Sequence, residues 1–253
     1  MSVARILVIA GSDSGGGAGI QADMRAVTLL GGHAMTAITA ITAQNTLGVQ
    51  GVHPVPTDMV LAQMESCIGD IGVDAVKIGM IGSAATAAAV AQRLARLDGV
   101  PIVFDPVMVA TSGSALADAD TVAAFEQLMG LATLVTPNLP ELAALGGEGI
   151  AARHATHVLA KGGHGEGAML VDRLLGPDGL VTEWRDPRID TPHTHGTGCT
   201  LASAIATGLG QGMMLPQAIA RARLFVRAAL VCAPGLGGGH GPMGAPLDFA
   251  RHA

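Results

Sequence analysis

Short runs of apolar residues alternate along this chain with longer stretches in which apolar positions recur every three or four residues. The apolar, β-branched runs predict strands at 4–10, 34–42, 51–55, 75–79, 102–105, 133–136, 157–161, 168–172 and 181–185. The helical period predicts helices at 20–30, 57–68, 84–97, 119–131, 140–145, 200–211 and 216–232. Many of the strands are apolar on both faces and need cover on both sides. The pattern therefore predicts an α/β fold: a central, mostly parallel sheet with helices on both faces, in three layers. No repeat, linker or low-complexity segment interrupts it, so residues 1–253 read as a single domain, with the Gly- and Pro-rich stretch 234–246 as a packed loop. In open α/β sheets, ligands bind beyond the carboxyl ends of the strands. The residues with chemistry to offer gather at those ends: 11–19, Gln44, Asn45, Gly79, Met80, Asp105, 136–141 and 161–163.

The segment Thr194-His195-Gly196-Thr197-Gly198-Cys199-Thr200 opens the helical run from Leu201. Small residues at a helix start leave backbone N–H groups bare at the positive end of the helix dipole, which is an anion site. Cys199 sits in the first turn, where a thiolate or a polarised S–H is favoured. The segment reads as a cradle for a transferring phosphoryl group, with Gly196, Thr197, Gly198 and Cys199 as its parts. Taken alone, it also fits a plain small-residue helix start with a buried cysteine.

The loop after the first strand, Gly11-Ser-Asp-Ser-Gly-Gly-Gly-Ala-Gly19-Ile-Gln-Ala22, contains a loose dinucleotide fingerprint. That fingerprint wants an acid at the end of the next strand, and here the strand ends Thr42-Ala43-Gln44-Asn45. An oxidoreductase is disfavoured on that ground. A Walker A loop is excluded, because no Lys-Ser or Lys-Thr follows a glycine. The loop remains a place where backbone can approach a small ligand closely. The Gln44 amide offers one donor group and one acceptor, which suits a ring nitrogen beside an exocyclic amine. It also fits an ordinary polar strand end, as Asp23 fits a plain surface acid.

Asp105-Pro106-Val107 ends one strand with a carboxylate. Thr136-Pro137-Asn138-Leu139-Pro140-Glu141 ends the next and opens a helix. Asp105, Asn138 and Glu141 are oxygen ligands of the kind Mg²⁺ uses. Asn138 and Glu141 equally fit a capping box, and the two roles are compatible. Lys161-Gly162-Gly163 ends another strand, and a lysine beside glycines at a ligand edge suits ATP phosphates. Among fourteen basic residues only Lys77 and Lys161 are lysine. Two lysines in an arginine-biased chain point to a task that needs a compact charge. His193 and His195 flank the cradle, but nothing in the sequence makes either a general base. Cys67 and Cys232 lie in helical patterns and read as core or surface thiols.

Composition narrows the class. Apolar residues make up 49% of the 253, enough for a large core, yet no apolar run reaches the ~18 residues of a spanning helix. The opening residues 1–10 are too short and strand-like for a signal peptide. A net charge of −6 with no basic run argues against nucleic acid or acidic membrane as partner. Three scattered cysteines suit a reducing cytoplasm, not a disulfide framework or a zinc site.

Together these pieces resemble the ribokinase-like superfamily and, within it, the bacterial hydroxymethylpyrimidine/phosphomethylpyrimidine kinases of thiamine biosynthesis. The resemblance is carried by Ala10-Gly-Ser-Asp-Ser-Gly-Gly-Gly-Ala-Gly-Ile-Gln-Ala-Asp23, Thr39-Ala-Ile-Thr-Ala-Gln44-Asn-Thr, Val76-Lys-Ile-Gly-Met80, Asp105-Pro-Val-Met108, Thr136-Pro-Asn-Leu-Pro-Glu141, Lys161-Gly-Gly-His164 and His195-Gly-Thr-Gly-Cys-Thr200, in family order. It implies a ribokinase-like fold. It also implies Mg-ATP-dependent phosphorylation of 4-amino-5-hydroxymethyl-2-methylpyrimidine and then of its monophosphate. By the same resemblance, Gln44 and Asp23 lie at or near the pyrimidine, and Gly11, Met80 and Val107 line its pocket. Lys161 meets the ATP phosphates, with Asn138 and Thr197 on the nucleotide side. Asp105 and Glu141 stand around the metal, and Thr197, Gly198 and Cys199 form the anion hole. A cytoplasmic homodimer is implied too.

Most of the superfamily carries aspartate as catalytic base where this chain has Cys199. A branch of pyridoxal kinases shares the cysteine, so pyridoxal or pyridoxine is the alternative acceptor. A non-catalytic vitamin or nucleotide sensor is a further reading, disfavoured by the intact set Asp105, Glu141, Lys161 and Cys199. The chain departs from the family pattern in two places. Relatives carry an extra helix between Gly146 and His157, so the short segment 147–156 predicts a thinner layer and an uncovered strand edge. Met243-Gly-Ala departs from the usual residues after Gly239-His-Gly-Pro242.

Overall fold

The computed structural model describes residues 3–249, apart from 111, 112, 114, 115 and 166. The terminal residues included in the readings of the N-terminus and of domain extent lie outside these.

Six strands form a parallel array: β2 (His33–Asn45), β1 (Arg5–Asp13), β4 (Ala75–Ile78), β5 (Ile102–Phe104), β6 (Leu134–Val135) and β7 (His157–Ala160). Antiparallel strands extend both edges: β3 (Gly48–Pro54) beside β2, and the hairpin β8 (Met169–Gly176) and β9 (Gly179–Pro187) beside β7. The nine-stranded order is β3-β2-β1-β4-β5-β6-β7-β8-β9.

The central strands are buried on both faces, so alternate residues feed two separate cores. Leu7, Ile9, Val76, Ile78 and Phe104 pack under α2 (Thr57–Asp70), α3 (Ala84–Leu94) and α4 (Ala119–Met129), where Phe104 meets Phe125 edge to face at 5.1 Å. Ile6, Val8, Ala10 and Val103 pack under α1 (Gly19–Leu29), α7 (Thr197–Gly210) and α8 (Leu215–Val231). Every residue of α7 from Thr200 to Gly208 is buried, as its nearly all-round small and apolar sequence requires. The small residues allow close contact: a Cβ on Gly208 would lie 2.9 Å from Ala218 Cβ, and one on Gly210 2.7 Å from Ile6 Cδ1. The last turn of α7 is thereby pressed against α8 and the start of β1, while Gly198 in its first turn faces Asp105 after β5.

All nine expected strands form. The β8–β9 hairpin runs further than expected: β8 continues through buried Leu174 and Leu175, and β9 gains residues at both ends because ladder bonds continue there where side chains are exposed or half-buried. The 147–156 segment needs correction. It retains a short helix, α6 (Ile150–His154), with Ile150 and Ala151 buried in the first core. No edge is uncovered there, since β6 and β7 are each paired on both sides. The stretch 234–246 is a loop, exposed over 234–238 and packed from Gly239 to Gly244. Gly239 N–H donates to Thr46 Oγ1 at 3.3 Å, and Gly244 N–H to Ala229 O at 2.9 Å.

Candidate active site

The anion cradle begins with a backbone requirement. Gly196, the residue before α7, has φ +84°, a conformation open to glycine at little cost. A side chain there would also collide with Gly17 O, so the cradle lies directly against the Gly-rich loop. Thr197 N–H bonds Thr194 O at 3.3 Å and Thr200 N–H bonds Gly196 O at 2.9 Å. Among the described residues, the N–H groups of Gly198 and Cys199 find no backbone acceptor. They are the free donors that an anion at this helix start would meet.

Lys161 and Asp105 stand over those donors. A Cβ on Gly198 would lie 3.4 Å from both Asp105 Oδ2 and Lys161 Nζ. Lys161 Nζ donates to Asp105 Oδ1 at 2.8 Å, and Thr136 Oγ1 donates to the same oxygen at 2.9 Å. Three neighbouring strand ends, after β5, β6 and β7, thus deliver one cluster. Burial pushes the Asp105 carboxyl up, but Lys161, Lys77 and the Thr136 hydroxyl outweigh it and hold the group below the usual carboxylate range. Burial disfavours the Lys161 ammonium, yet Asp105 and Glu141 raise it, so it stays charged.

Asn138 and Glu141 do form the capping box at α5 (Leu139–Ala144). Asn138 Oδ1 accepts the Glu141 N–H at 2.9 Å, and Glu141 Oε2 accepts the Asn138 N–H at 2.8 Å. Glu141 is buried, which together with Asp105 raises its carboxyl despite Lys161. Capping does not remove it from the cluster, whose charges it shares. Among the described residues, no three His, Cys, Asp or Glu side chains converge to cage a metal.

At Cys199 the sequence leaves a thiolate and a polarised S–H both open. Burial pushes the thiol up to about 11, with Asp23 and Asp105 adding to the effect and Lys77 only partly offsetting it. A thiol in that range is protonated at neutral pH, which favours the S–H form.

Asp23 is not a surface acid. It is fully buried, with both oxygens on Lys77 Nζ (2.9 and 2.8 Å) and Oδ1 also accepting from Ser203 Oγ at 2.7 Å, and its charge acts on Cys199. Strand period explains the meeting. Lys77, opposite Val8, points to the same face as Ile6 and Val8, where α1 and α7 supply Asp23 and Ser203. Lys77 was flagged in the sequence only by the rarity of lysine.

On the other flank, Gly11 and Met80 are brought together: a Cβ on Gly11 would lie 2.6 Å from Met80 Cε. Val107 follows the Asp105 strand end, half-buried, with its N–H on Asp105 O at 2.8 Å. Gln44 Nε2 is 3.4 Å from His195 Nε2, one residue before the cradle. His195 in turn holds Asp13 Oδ2 at 2.9 Å. Gln44 and Lys161 therefore reach opposite ends of the segment 195–198. A cavity of about 320 Å³ beside His195 is walled by Gly15, Gly17, Asn45, Thr46 and Pro242.

Asp13 turns its carboxylate inward and accepts the N–H groups of Gly15 (2.8 Å), Gly17 (3.1 Å) and Ala18 (2.8 Å), while Gly16 N–H bonds Asp13 O. These four amides of the Gly-rich loop are bonded within the protein. The Asp13–His195 contact was invisible in the sequence, since the two residues lie 182 positions apart.

Comparisons with known proteins agree with this geometry. A family model described as phosphomethylpyrimidine kinase matches residues 13–244. The hydroxymethylpyrimidine/phosphomethylpyrimidine kinase of Rhizobium meliloti is 48% identical over 94% of this chain and 95% of its own. The thiamine biosynthesis bifunctional protein ThiED of Geobacter sulfurreducens is 49% identical over 94% of this chain, which spans only 51% of that longer relative. Among solved structures, an ADP complex of Bacillus subtilis pyridoxal kinase superposes with a TM-score of 0.85 at 32% identity, covering 100% of both chains. With the matched model spanning nearly the whole chain and the kinase cluster assembled at one sheet edge, the chain belongs to the phosphomethylpyrimidine kinase family.

Proposed function

We infer that this chain moves the γ-phosphoryl group of ATP to the hydroxymethyl oxygen of 4-amino-5-hydroxymethyl-2-methylpyrimidine, and then moves a second one to the monophosphate so formed. The observation that carries this reading is the meeting at Gly198: free helix-start amides on one side, Lys161 and Asp105 3.4 Å away on the other. In each step the acceptor oxygen bonds to the γ-phosphorus, the bond from that phosphorus to the β-bridging oxygen breaks, and ADP leaves with the electron pair. Charge spreads over the transferring oxygens, so fixed N–H donors and a fixed ammonium supply most of the stabilisation. The Gly198 and Cys199 amides, the α7 dipole and Lys161 are those groups. In a loose transition state the alcohol need not be deprotonated first. The reading therefore gives Cys199 an orienting role, its protonated thiol beside the acceptor oxygen, and the alcohol proton leaves to solvent or to the new phosphate.

Among the described residues no third His, Cys, Asp or Glu joins Asp105 and Glu141, and such a pair suits an Mg²⁺ ion that would keep most of its coordination for water and phosphate. Bound there, the ion would neutralise phosphate charge. Asn138 and Thr197 remain nucleotide-side contacts in this reading, and Gln44, Gly11, Met80 and Val107 the acceptor-side wall. Asp23 acts from beneath, through Lys77. Among the described residues, no helix is long and apolar enough to cross a membrane. The reading sets the reaction in the cytoplasm and the chain in a homodimer, which sedimentation at working concentration tests.

Pyridoxal is the second acceptor to consider, favoured by the likeness to Bacillus subtilis pyridoxal kinase. The deciding experiment offers Mg-ATP with the pyrimidine alcohol, its monophosphate or pyridoxal. Faster turnover of both pyrimidines supports the main reading. A preference for pyridoxal supports the second, and turnover of none contradicts both.

A further inference from the structure

The residue after Lys161 is tied to a buried carboxylate that the transfer cluster does not use. β7 ends at Ala160, and Gly162 opens a short 3₁₀ turn. Lys161 N–H donates to Pro137 O at 3.0 Å, and the next amide, Gly162 N–H, donates to Asp172 Oδ1 at 2.8 Å. The Lys161 backbone is thus held on one side by the segment after β6 and on the other by β8. A Cβ on Gly162 would collide with Val171 O, so the chain runs tight against β8 here. Asp172 shares its face of β8 with Leu174, which packs in the core under α1, α7 and α8, and it stands across from Trp184 on β9. Its charge is met by Arg223 of α8, buried like itself. Arg223 Nε donates to Asp172 Oδ2 at 2.7 Å, and Arg223 Nη2 lies 2.7 Å from Asp186 Oδ2. The guanidinium also sits 5.6 Å from the Trp184 ring centroid. A planar group gripped at several points cannot swing, and neither can the carboxylate it grips. A buried ion pair adds little stability over apolar packing. What a carboxylate supplies here and a leucine could not is an acceptor for the Gly162 N–H.

We propose that Asp172, clamped by Arg223, is a positioning residue that fixes the backbone at Lys161–Gly162 and so aims the Lys161 ammonium at the polyphosphate of a nucleoside triphosphate. Asp172 touches no reacting atom and acts through Lys161. The chain of contacts runs from Lys161 through Gly162 and Asp172 to α8, the helix that packs on α7. The lysine and the helix that carries the amide donors are thereby braced against one scaffold. The proposal rests on the kinase reading above, and the test separates the two.

The experiment compares two double variants, Asp172→Asn/Arg223→Met and Asp172→Leu/Arg223→Met. Both remove the ion pair and strand no buried charge, since Asp186 is partly exposed and keeps Arg227 within 4.0 Å. With Arg223 gone, the asparagine oxygen is free to accept the Gly162 N–H, and the leucine offers nothing. Calorimetry reads the Kd of AMP-PCP, a non-hydrolysable ATP analogue, with Mg²⁺. The asparagine variant should bind near the wild-type value. The leucine variant should bind about tenfold more weakly, the scale of one hydrogen bond lost. The KM for the pyrimidine alcohol should stay at the wild-type value in both. Equal nucleotide affinities in the two variants would overturn the proposal, because a merely structural pair would affect both alike. Adding Lys161→Ala to each should abolish the difference between them, and a difference that persists would overturn the claim that Asp172 acts through Lys161. If circular dichroism shows the leucine variant unfolded, wild type still answers: the Gly162 amide should exchange slowly with deuterium in nucleotide-free protein, and exchange as fast as in an exposed loop would overturn the proposal. Wild type that binds the nucleotide but does not phosphorylate the pyrimidine defeats the kinase reading alone and leaves the Kd comparison as judge. Wild type that binds no nucleotide defeats both.

Discussion

Lys77 Nζ sits 2.8 Å from Asp23 Oδ2, with both side chains fully out of water, beneath the first turn of α7. The Asp23 charge raises the ammonium against its burial, so Lys77 stays charged, and its field reaches Cys199 and Asp105. Breaking such a pair from one side strands the other charge. Lys77→Met should therefore cost about 3–5 kcal/mol of stability. Replacing both partners, as in Lys77→Met/Asp23→Leu, should recover much of it, since apolar packing substitutes well for a buried pair. Urea denaturation of the three proteins checks this, and equal losses for the single and double variants would count against it.

Asp13 yields a prediction about pH. Burial raises its carboxyl, but His195 and the amides of Ala18 and Gly15 outweigh that and leave it below the ordinary value. A depressed carboxyl contributes stability that is present in full above its unfolded pKa, about 3.9, and is lost as pH falls through the folded value. Asp13→Asn should therefore destabilise most at neutral pH, with a difference from wild type that shrinks below about pH 4. Melting temperatures across that range test it. A difference independent of pH would contradict it.

The Cys199 thiol, pushed up to about 11, should be nearly inert to iodoacetamide at pH 7 and gain reactivity only in strongly alkaline solution. Cys199→Ser should keep its rate within about tenfold of wild type, with no shift in the neutral pH profile. Rapid alkylation at neutral pH, or loss of a rate-controlling ionisation in the serine variant, would restore a thiolate base.

Gly196 supports the cradle through backbone alone. Gly196→Ala places a Cβ against Gly17 O in a left-handed conformation that costs about 1–2 kcal/mol before the collision is counted. The two loops must separate. The expected result is a folded protein whose kcat falls about 100-fold or more as the Gly198 and Cys199 donors lose their aim. Circular dichroism with initial rates separates this from simple unfolding.

Much of this molecule is legible in its residues. Apolar runs and helical periods mark each strand and most helices, because central strands and α7 are buried on every side. Ile150–His154 escapes detection because five residues are too few to display a period. The cluster of Asp105, Lys161 and Gly198 can be anticipated because a parallel sheet delivers its strand ends to one edge. Two contacts cannot. Lys77 meets Asp23 54 positions away in the chain, and Asp13 meets His195 182 away, each through tertiary packing with no local pattern to announce it. The choice between a thiolate and an S–H at Cys199 was not legible for a related reason: sequence shows the helix start, but not the depth of burial that pushes the thiol up.

The central claim is that Lys161 and the amides at Gly198 hold one transferring phosphoryl group. The most direct test compares kcat/KM of Lys161→Ala with wild type for ATP-dependent phosphorylation of the pyrimidine alcohol. The account predicts a fall of about 100- to 1,000-fold with a raised ATP KM. An unchanged rate and ATP requirement would contradict it.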